Sequence, residues 1–257
     1  MSSPAIVVQA RTSSSRLPGK VLADLHGRPL ILRLVERLQL VEGTGLVVAT
    51  SVDHSDDTLA STVERAGVRV HRGSLHDVLS RYVEAARLLD ADPVVRITAD
   101  CPLADPALIG VMLAEFERAR VSNPELALLT NVRPPSFPDG LDVEIAARWA
   151  LERAHEASTD AFEREHVTRH LHQRPDRFHH VAHVAASDRS GERWTVDYPQ
   201  DLEFVRAVYD ALYPALGPRF TTADVEELLA RNPAVARLQS DAIRAEALGR
   251  DPRPGRG

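Results

Sequence analysis

The chain has 257 residues, a formal net charge of -6, 44% hydrophobic and 26% charged residues. That is the balance of a globular protein with room for one large core, and it carries no electrostatic footprint for nucleic acid or an anionic membrane. A single cysteine, Cys101, excludes an internal disulfide. With no signal-like segment and no apolar run near the roughly 18 residues of a membrane span, the expected location is the cytoplasm.

Ala5–Ala10 (AIVVQA) predicts a buried strand, followed by a polar loop to Lys20. Pro29–Leu40 carries the apolar stripe of an amphipathic helix, with Pro29 in its first turn. Gly45–Thr50 predicts a strand, Ser55–Ala66 a helix stopped at Gly67, and Arg69–His71 a short strand. Leu75–Leu89 predicts a helix with Ser74 and Asp77 at capping-box spacing. Pro93–Thr98, Pro106–Arg120 and Leu126–Thr130 continue as strand, helix and strand. Strands alternating with helices predict an α/β fold with a mostly parallel sheet, whose ligands sit at the carboxyl ends of the strands.

The second half is less regular. A proline-rich loop (Arg133–Gly140) precedes a strand at Leu141–Ile145 and a helix at Ala146–Ala157. Phe162–His172 predicts one helix, and Phe178–Val184 and Arg193–Val196 two strands joined by a turn. Pro199–Leu212 and Thr222–Arg231 predict helices, the second opened by a Thr221/Asp224 capping box. The polar, Pro/Gly/Arg-rich segment 250–257 predicts a disordered tail.

The loop Arg11-Thr12-Ser13-Ser14-Ser15-Arg16-Leu17-Pro18-Gly19-Lys20 interleaves three cations with four hydroxyls. Hydroxyls, backbone N–H groups and cations are what a triphosphate requires. The Walker pattern and the dinucleotide glycine fingerprint are both missing. Lys20 is the only lysine among 31 basic residues. A bias toward arginine explains the rest, whereas a tight phosphate site can demand a slim ammonium.

The run Val8–Lys20 resembles the signature of nucleotidyltransferases of the CMP-sugar-acid synthetase type. More narrowly, the chain resembles the spore-coat polysaccharide biosynthesis protein F family. The matching segments are Val48–Ser51 with Asp56-Asp57, Arg72-Gly73 with Asp77-Val78-Leu79, Arg96–Leu103, Phe137–Glu144, Glu165–Thr168 and Trp194–Leu202, in order along the chain. The resemblance implies a Rossmann-like nucleotidyltransferase fold, CTP as donor, a small-molecule acceptor, Mg²⁺ and a homodimer. It implies one domain over residues 1–249, with nucleotide binding in about 1–130 and acceptor binding and dimerisation in about 131–249.

Carried over, Arg11, Arg16 and Lys20 contact the triphosphate, and Asp100 and Asp197 hold the metal. Tyr198 stands where the family pattern often has threonine, and Asp201 is the competitor to Asp197, with a helix-dipole role as its other reading. Ala10, Ser15, Thr50, Ser51, Arg72, Asp77, Arg96 and Thr98 are expected around the nucleotide. Asp77 reads equally as a helix cap, and Arg96 equally as the partner of an internal carboxylate. Asp139, Asp142, Glu144 and His166 are expected on the acceptor side, with a dimer contact or solvated face as the alternative for the acids. His166 and His170 have a spacing that can bind zinc, though no third ligand accompanies them. The rival readings are a nucleotidyltransferase using another nucleotide and a glycosyltransferase on a related sheet.

Overall fold

The computed structural model describes residues 2–239; the predicted tail at 250–257 lies outside them. Strand β1 (Ser3–Gln9) buries Ala5, Ile6, Val7 and Val8 in succession, so both of its faces are covered. After a polar loop comes a tight hairpin, β2 (Asp24–Leu25) and β3 (Arg28–Pro29). His26 and Gly27 form its turn with φ of 50° and 76°, the left-handed pair that a two-residue hairpin needs. Then follow α1 (Leu30–Leu38), β4 (Gly45–Ser51), α2 (Asp57–Arg65), β5 (Arg69–Gly73), α3 (Val78–Leu88), β6 (Ala91–Thr98), α4 (Pro106–Ser122) and β7 (Leu126–Thr130). The second half gives β8 (Glu144–Ala146), α5 (Arg148–Ala157), α6 (Ala161–Glu165), α7 (Arg169–His172), β9 (His179–Ala182), α8 (Pro199–Leu216), α9 (Thr222–Arg231) and α10 (Pro233–Ala236).

The main sheet has the order β5-β4-β1-β6-β8-β7-β9. All its pairings are parallel except those of β8, which runs against both β6 and β7. This is the mostly parallel α/β architecture the alternating pattern predicts. The carboxyl ends of β1, β4 and β6 therefore open side by side. No helix among the described residues is long and apolar enough to cross a membrane.

A second apolar cluster lies beside the sheet core. Trp194, Val196, Leu202, Phe204 and Val205 pack there with Leu25, Leu30, Leu103 and Leu141. It fixes the segment leading into α8 against the loop after β6, where Asp100 O accepts from Val196 N at 2.8 Å and Thr195 Oγ1 at 3.0 Å.

Strand β8 covers Glu144–Ala146 in place of the expected Leu141–Ile145, and the structure corrects the expected pattern in three further places. Residues 193–196 form no strand: β9 pairs in parallel with β7, and Arg193 makes only an isolated bridge with Asp139. The helix expected over Phe162–His172 is two short pieces, α6 and α7. Val167 between them adopts φ 48°, unusual for a β-branched residue, and is held there by complete burial and by Thr168 Oγ1 bonding Glu144 at 2.7 Å. Helix α3 starts at Val78, not Leu75, because Asp77 is its cap and accepts from Ser80 N at 2.9 Å.

Gly140 is required by contact as well as by conformation. It has φ 114°, and a Cβ there would lie 2.6 Å from both Trp194 C and Thr195 N. Gly140→Ala should destabilise the protein by on the order of 3 kcal/mol, since backbone on both sides must move. Equilibrium urea unfolding measures this; a loss within 0.5 kcal/mol, about that of an ordinary surface substitution, would show that the loop can be remade.

Candidate active site

The loop after β1 is tied down at both ends. Thr12 donates from its backbone N (2.7 Å) and its hydroxyl (2.8 Å) to Asp56 Oδ1, a buried carboxylate just before α2. Burial opposes the Asp56 charge, but bonds from Ser51 and Thr12 hold its pKa below the ordinary value. Thr12 O in turn accepts from Gly19 N at 2.9 Å, closing the loop. Gly19 then turns with φ 72° into a short 3₁₀ turn at Lys20–Leu22. That turn sends Lys20 inward, where its residue is 7% exposed.

Lys20 Nζ meets three acceptors: Asp100 Oδ2 at 3.0 Å, Asp197 Oδ1 at 2.9 Å and Val196 O at 2.7 Å. Burial favours the neutral amine, yet the two aspartates outweigh it and raise the pKa above its ordinary value. Burial likewise works against Asp100, but Lys20 and a bond from Thr98 bring its carboxyl down to about 2. The other oxygen of Asp197 faces Arg16 Nη2 and Arg193 Nη2, each at 2.8 Å.

Arg193 is a residue the sequence reading missed. Buried at 5% exposure, its guanidinium also holds Asp139 Oδ2 at 2.8 Å and Asp201 Oδ1 at 3.2 Å. The sequence marked it only as the start of a presumed strand. Asp201 Oδ2 accepts from Asp197 N and Tyr198 N at 2.8 and 2.9 Å, so its side chain is committed to the start of α8. Asp197, not Asp201, thus joins Asp100. Four carboxylates (Asp100, Asp139, Asp197, Asp201) face three cations (Arg16, Lys20, Arg193).

The remaining expected residues divide into neighbouring groups. Arg11 lies 3.5 Å from Glu165, and Asp77 pairs with Arg164, so α6 sits over the β1 and α3 side. Arg11 is therefore not in the Lys20 cluster. Ala10 is buried, its N bonded to Ala49 O, and Ser15 is exposed on the loop. Ser51 bonds Asp56, while Arg72 donates to Ser51 O and to Asp57. Thr98 Oγ1 lies 3.3 Å from Cys101 Sγ. Burial and the charges of Asp100 and Asp142 push the Cys101 thiol well up, which suits packing and not nucleophilic work.

Arg81 was also missed. It is fully buried on α3 and donates weakly to Ala49 O at 3.4 Å. Its Nε and Nη2, with Gln9 Oε1, are buried without a hydrogen-bond partner. By contrast, buried Arg37 satisfies three carbonyls. Unmet polar groups are rare inside proteins, and these gather at the ends of β1 and β4.

Arg96 has an internal carboxylate as partner, Glu144. The Arg96 guanidinium meets Glu144 Oε2 at 2.7 Å, and His172 Nε2 meets Oε1 at 2.7 Å. Burial raises the Glu144 pKa, but His172, Arg96 and Thr168 bring it down to about 2. His166 packs edge-on against Phe162 at 4.1 Å between ring centres. His170 is buried, with its Nδ1 2.7 Å from Glu163 Oε2.

The cytidylyltransferase family model matches residues 5–215. The chain belongs to the cytidylyltransferase family. It is 31% identical over 243 residues to the spore coat polysaccharide biosynthesis protein SpsF of Bacillus subtilis, covering 90% of this chain and 95% of that one. It is 40% identical over 127 residues to a 3-deoxy-manno-octulosonate cytidylyltransferase of Anaeromyxobacter dehalogenans, covering 47% of this chain and 51% of that one. A cytidylyltransferase structure from Leptospira borgpetersenii matches with a TM-score of 0.86 and 28% identity, over 95% of this chain and all of that one. The Lys20 cluster thus lies within a cytidylyltransferase, at the strand ends where such a sheet binds its ligand.

Because the folded pKa of Glu144 lies below its ordinary 4.5, its stabilisation is complete above that value and is lost as pH falls toward 2. Glu144→Gln should cost about 3 kcal/mol near neutral pH by leaving Arg96 and His172 poorly matched. The difference from the parent should narrow in acid. Urea titrations across pH read both, and a gap independent of pH would assign the loss to packing.

Proposed function

We propose that this cytidylyltransferase transfers CMP from CTP to a small sugar-acid-like, phosphorylated or phosphonate acceptor in the biosynthesis of a polysaccharide or related product. The observation that carries the reading is one buried ammonium shared by aspartates from two distant segments, rimmed by Arg16 on a hydroxyl-rich loop. The name of the SpsF protein supports polysaccharide biosynthesis, and that of the octulosonate enzyme supports the sugar-acid direction for the acceptor.

The acceptor oxygen attacks the α-phosphorus in line. An O–P bond forms, the bond from the α-phosphorus to the α–β bridging oxygen breaks, pyrophosphate leaves with that oxygen, and an acceptor that attacks as a hydroxyl gives up its proton to solvent. Arg16 and Lys20 lie where they can neutralise the charge that develops on the departing phosphates, and Arg11, at the start of the same loop, stands beside Glu165 on the α6 side. Lys20 can move onto the phosphates because its stem is slim and flexible. Asp139, Asp142 and Glu144 border the acceptor side, Glu144 through the Arg96–His172 network. On the base side, the donors of Arg81 and the acceptor of Gln9 suit the ring oxygen, ring nitrogen and amine of cytosine.

Asp100 and Asp197 fit Mg²⁺, which would polarise phosphate oxygens when bound. No group of three His, Cys, Asp or Glu side chains among the described residues could hold a metal ion. Two carboxylates, Asp100 and Asp197, are a donor set that suits Mg²⁺, which binds to one or two carboxylates and completes its shell with water and phosphate.

Pyrophosphate release should be supported by CTP and Mg²⁺, and far less by UTP, ATP or GTP, in assays against sugar-acid acceptors. Equal turnover of all four nucleotides would refute CTP as the donor. Lys20→Ala should lower kcat/KM by roughly 10²-fold, about the value of one preorganised charge contact. Asp100→Asn should raise the Mg²⁺ concentration for half-maximal rate, and an unchanged titration would remove it from the metal site.

A further inference from the structure

The three hydrogens of Lys20 Nζ have three acceptors, at 3.0, 2.9 and 2.7 Å. Its side chain is 8% exposed, so little water competes. The ammonium therefore stands between the same two carboxylates that suit a divalent cation. Magnesium needs oxygens at about 2.0–2.1 Å, so it cannot share that position with the ammonium. To admit metal, Lys20 must leave, and leaving without a new anion would strand a buried charge.

We propose that Lys20 is the resident cation of the Asp100–Asp197 pair and bars divalent metal until a triphosphate draws its ammonium away. The inference rests on the triphosphate-binding reading above and adds an order of events to it. In the nucleotide-free protein the charge of the pair is met internally. An arriving triphosphate offers Lys20 several anionic oxygens and supplies metal ligands at the same time. The ammonium and the divalent ion then exchange places, so metal enters with the nucleotide. Asp197 keeps cationic support when Lys20 leaves, because buried Arg193 holds its other oxygen. A compact ammonium on a flexible stem suits this movement, whereas a guanidinium would hold the pair as a fork. The sole lysine of the chain stands at this position.

The test is Mn²⁺ binding read by water-proton relaxation, which reports protein-bound ion and needs no turnover. Without nucleotide, the parent should bind Mn²⁺ only weakly. Lys20→Met should bind it at least roughly tenfold more tightly, since the competing charge is gone. Lys20→Arg should show no gain, and Asp100→Asn added to Lys20→Met should abolish it. The same Lys20→Met protein should turn over poorly, so metal affinity and activity move in opposite directions. Thermal melts establish that the variants fold. If Lys20→Met is unfolded, Lys20→Gln replaces it, and the parent supplies an independent measurement through the rise in bound Mn²⁺ on adding CTP. A folded Lys20→Met with no gain overturns the proposal, as does a parent that binds Mn²⁺ equally with and without CTP. A gain in Lys20→Met together with indifference to the choice of nucleotide upholds the exchange and refutes CTP as the specific donor.

Discussion

One buried ammonium holds this site in shape. Asp100 lies just past a sheet strand and Asp197 just before α8, and like charges repel unless a cation joins them. Lys20 does so from a third segment, the loop after β1. The backbone is arranged to permit it: Thr195 and Val196 bond to Asp100 O, and Trp194 and Val196 are buried in a separate apolar cluster. The carboxylate pair is thus braced by packing behind and by charge in front.

Around that centre the charges alternate. Arg193 links Asp197 to Asp139 on the loop that Gly140 presses against Trp194 and Thr195, and to Asp201 at the head of α8. Buried ions contribute little to stability by themselves, because desolvation consumes most of the attraction. What such a network provides is position. Asp139 and Asp197 are referred to one rigid guanidinium, so the loop that carries Asp139 and the segment that enters α8 share a common reference. Glu144 does the same between sheet and α7, joining Arg96 of β6 to His172.

The first half was largely legible in the sequence because its strands and helices are local and strongly patterned. β7 falls at its expected bounds, Leu126–Thr130, as does α9 in the second half, Thr222–Arg231. Lys20, Asp100 and Asp197 could be singled out because residue type, loop context and family resemblance agreed. The second half was harder because its geometry depends on distant partners. Arg193–Val196 alternates like a strand but finds no strand to join, since β9 takes the edge of β7. No local pattern reveals the left-handed Val167 that splits α6 from α7. Arg193 and Arg81 were hidden for another reason: in a chain where nearly every basic residue is arginine, a buried one is indistinguishable by type from a solvated one.

The closure of the loop after β1 has a consequence for how this chain can vary. Thr12 is fastened to Asp56 on one side and to Gly19 on the other, and Lys20 follows at once. The distance from the end of β1 to the ammonium is therefore set by a clasp and not by the length of chain between. Ser13, Ser15 and Pro18 face outward. Residues inserted there would swell into solvent and leave the clasp shut, whereas loss of the Thr12 carbonyl contact would release the ammonium from its register. The segment behaves as a gauge whose outer rim is free to drift while its span stays constant.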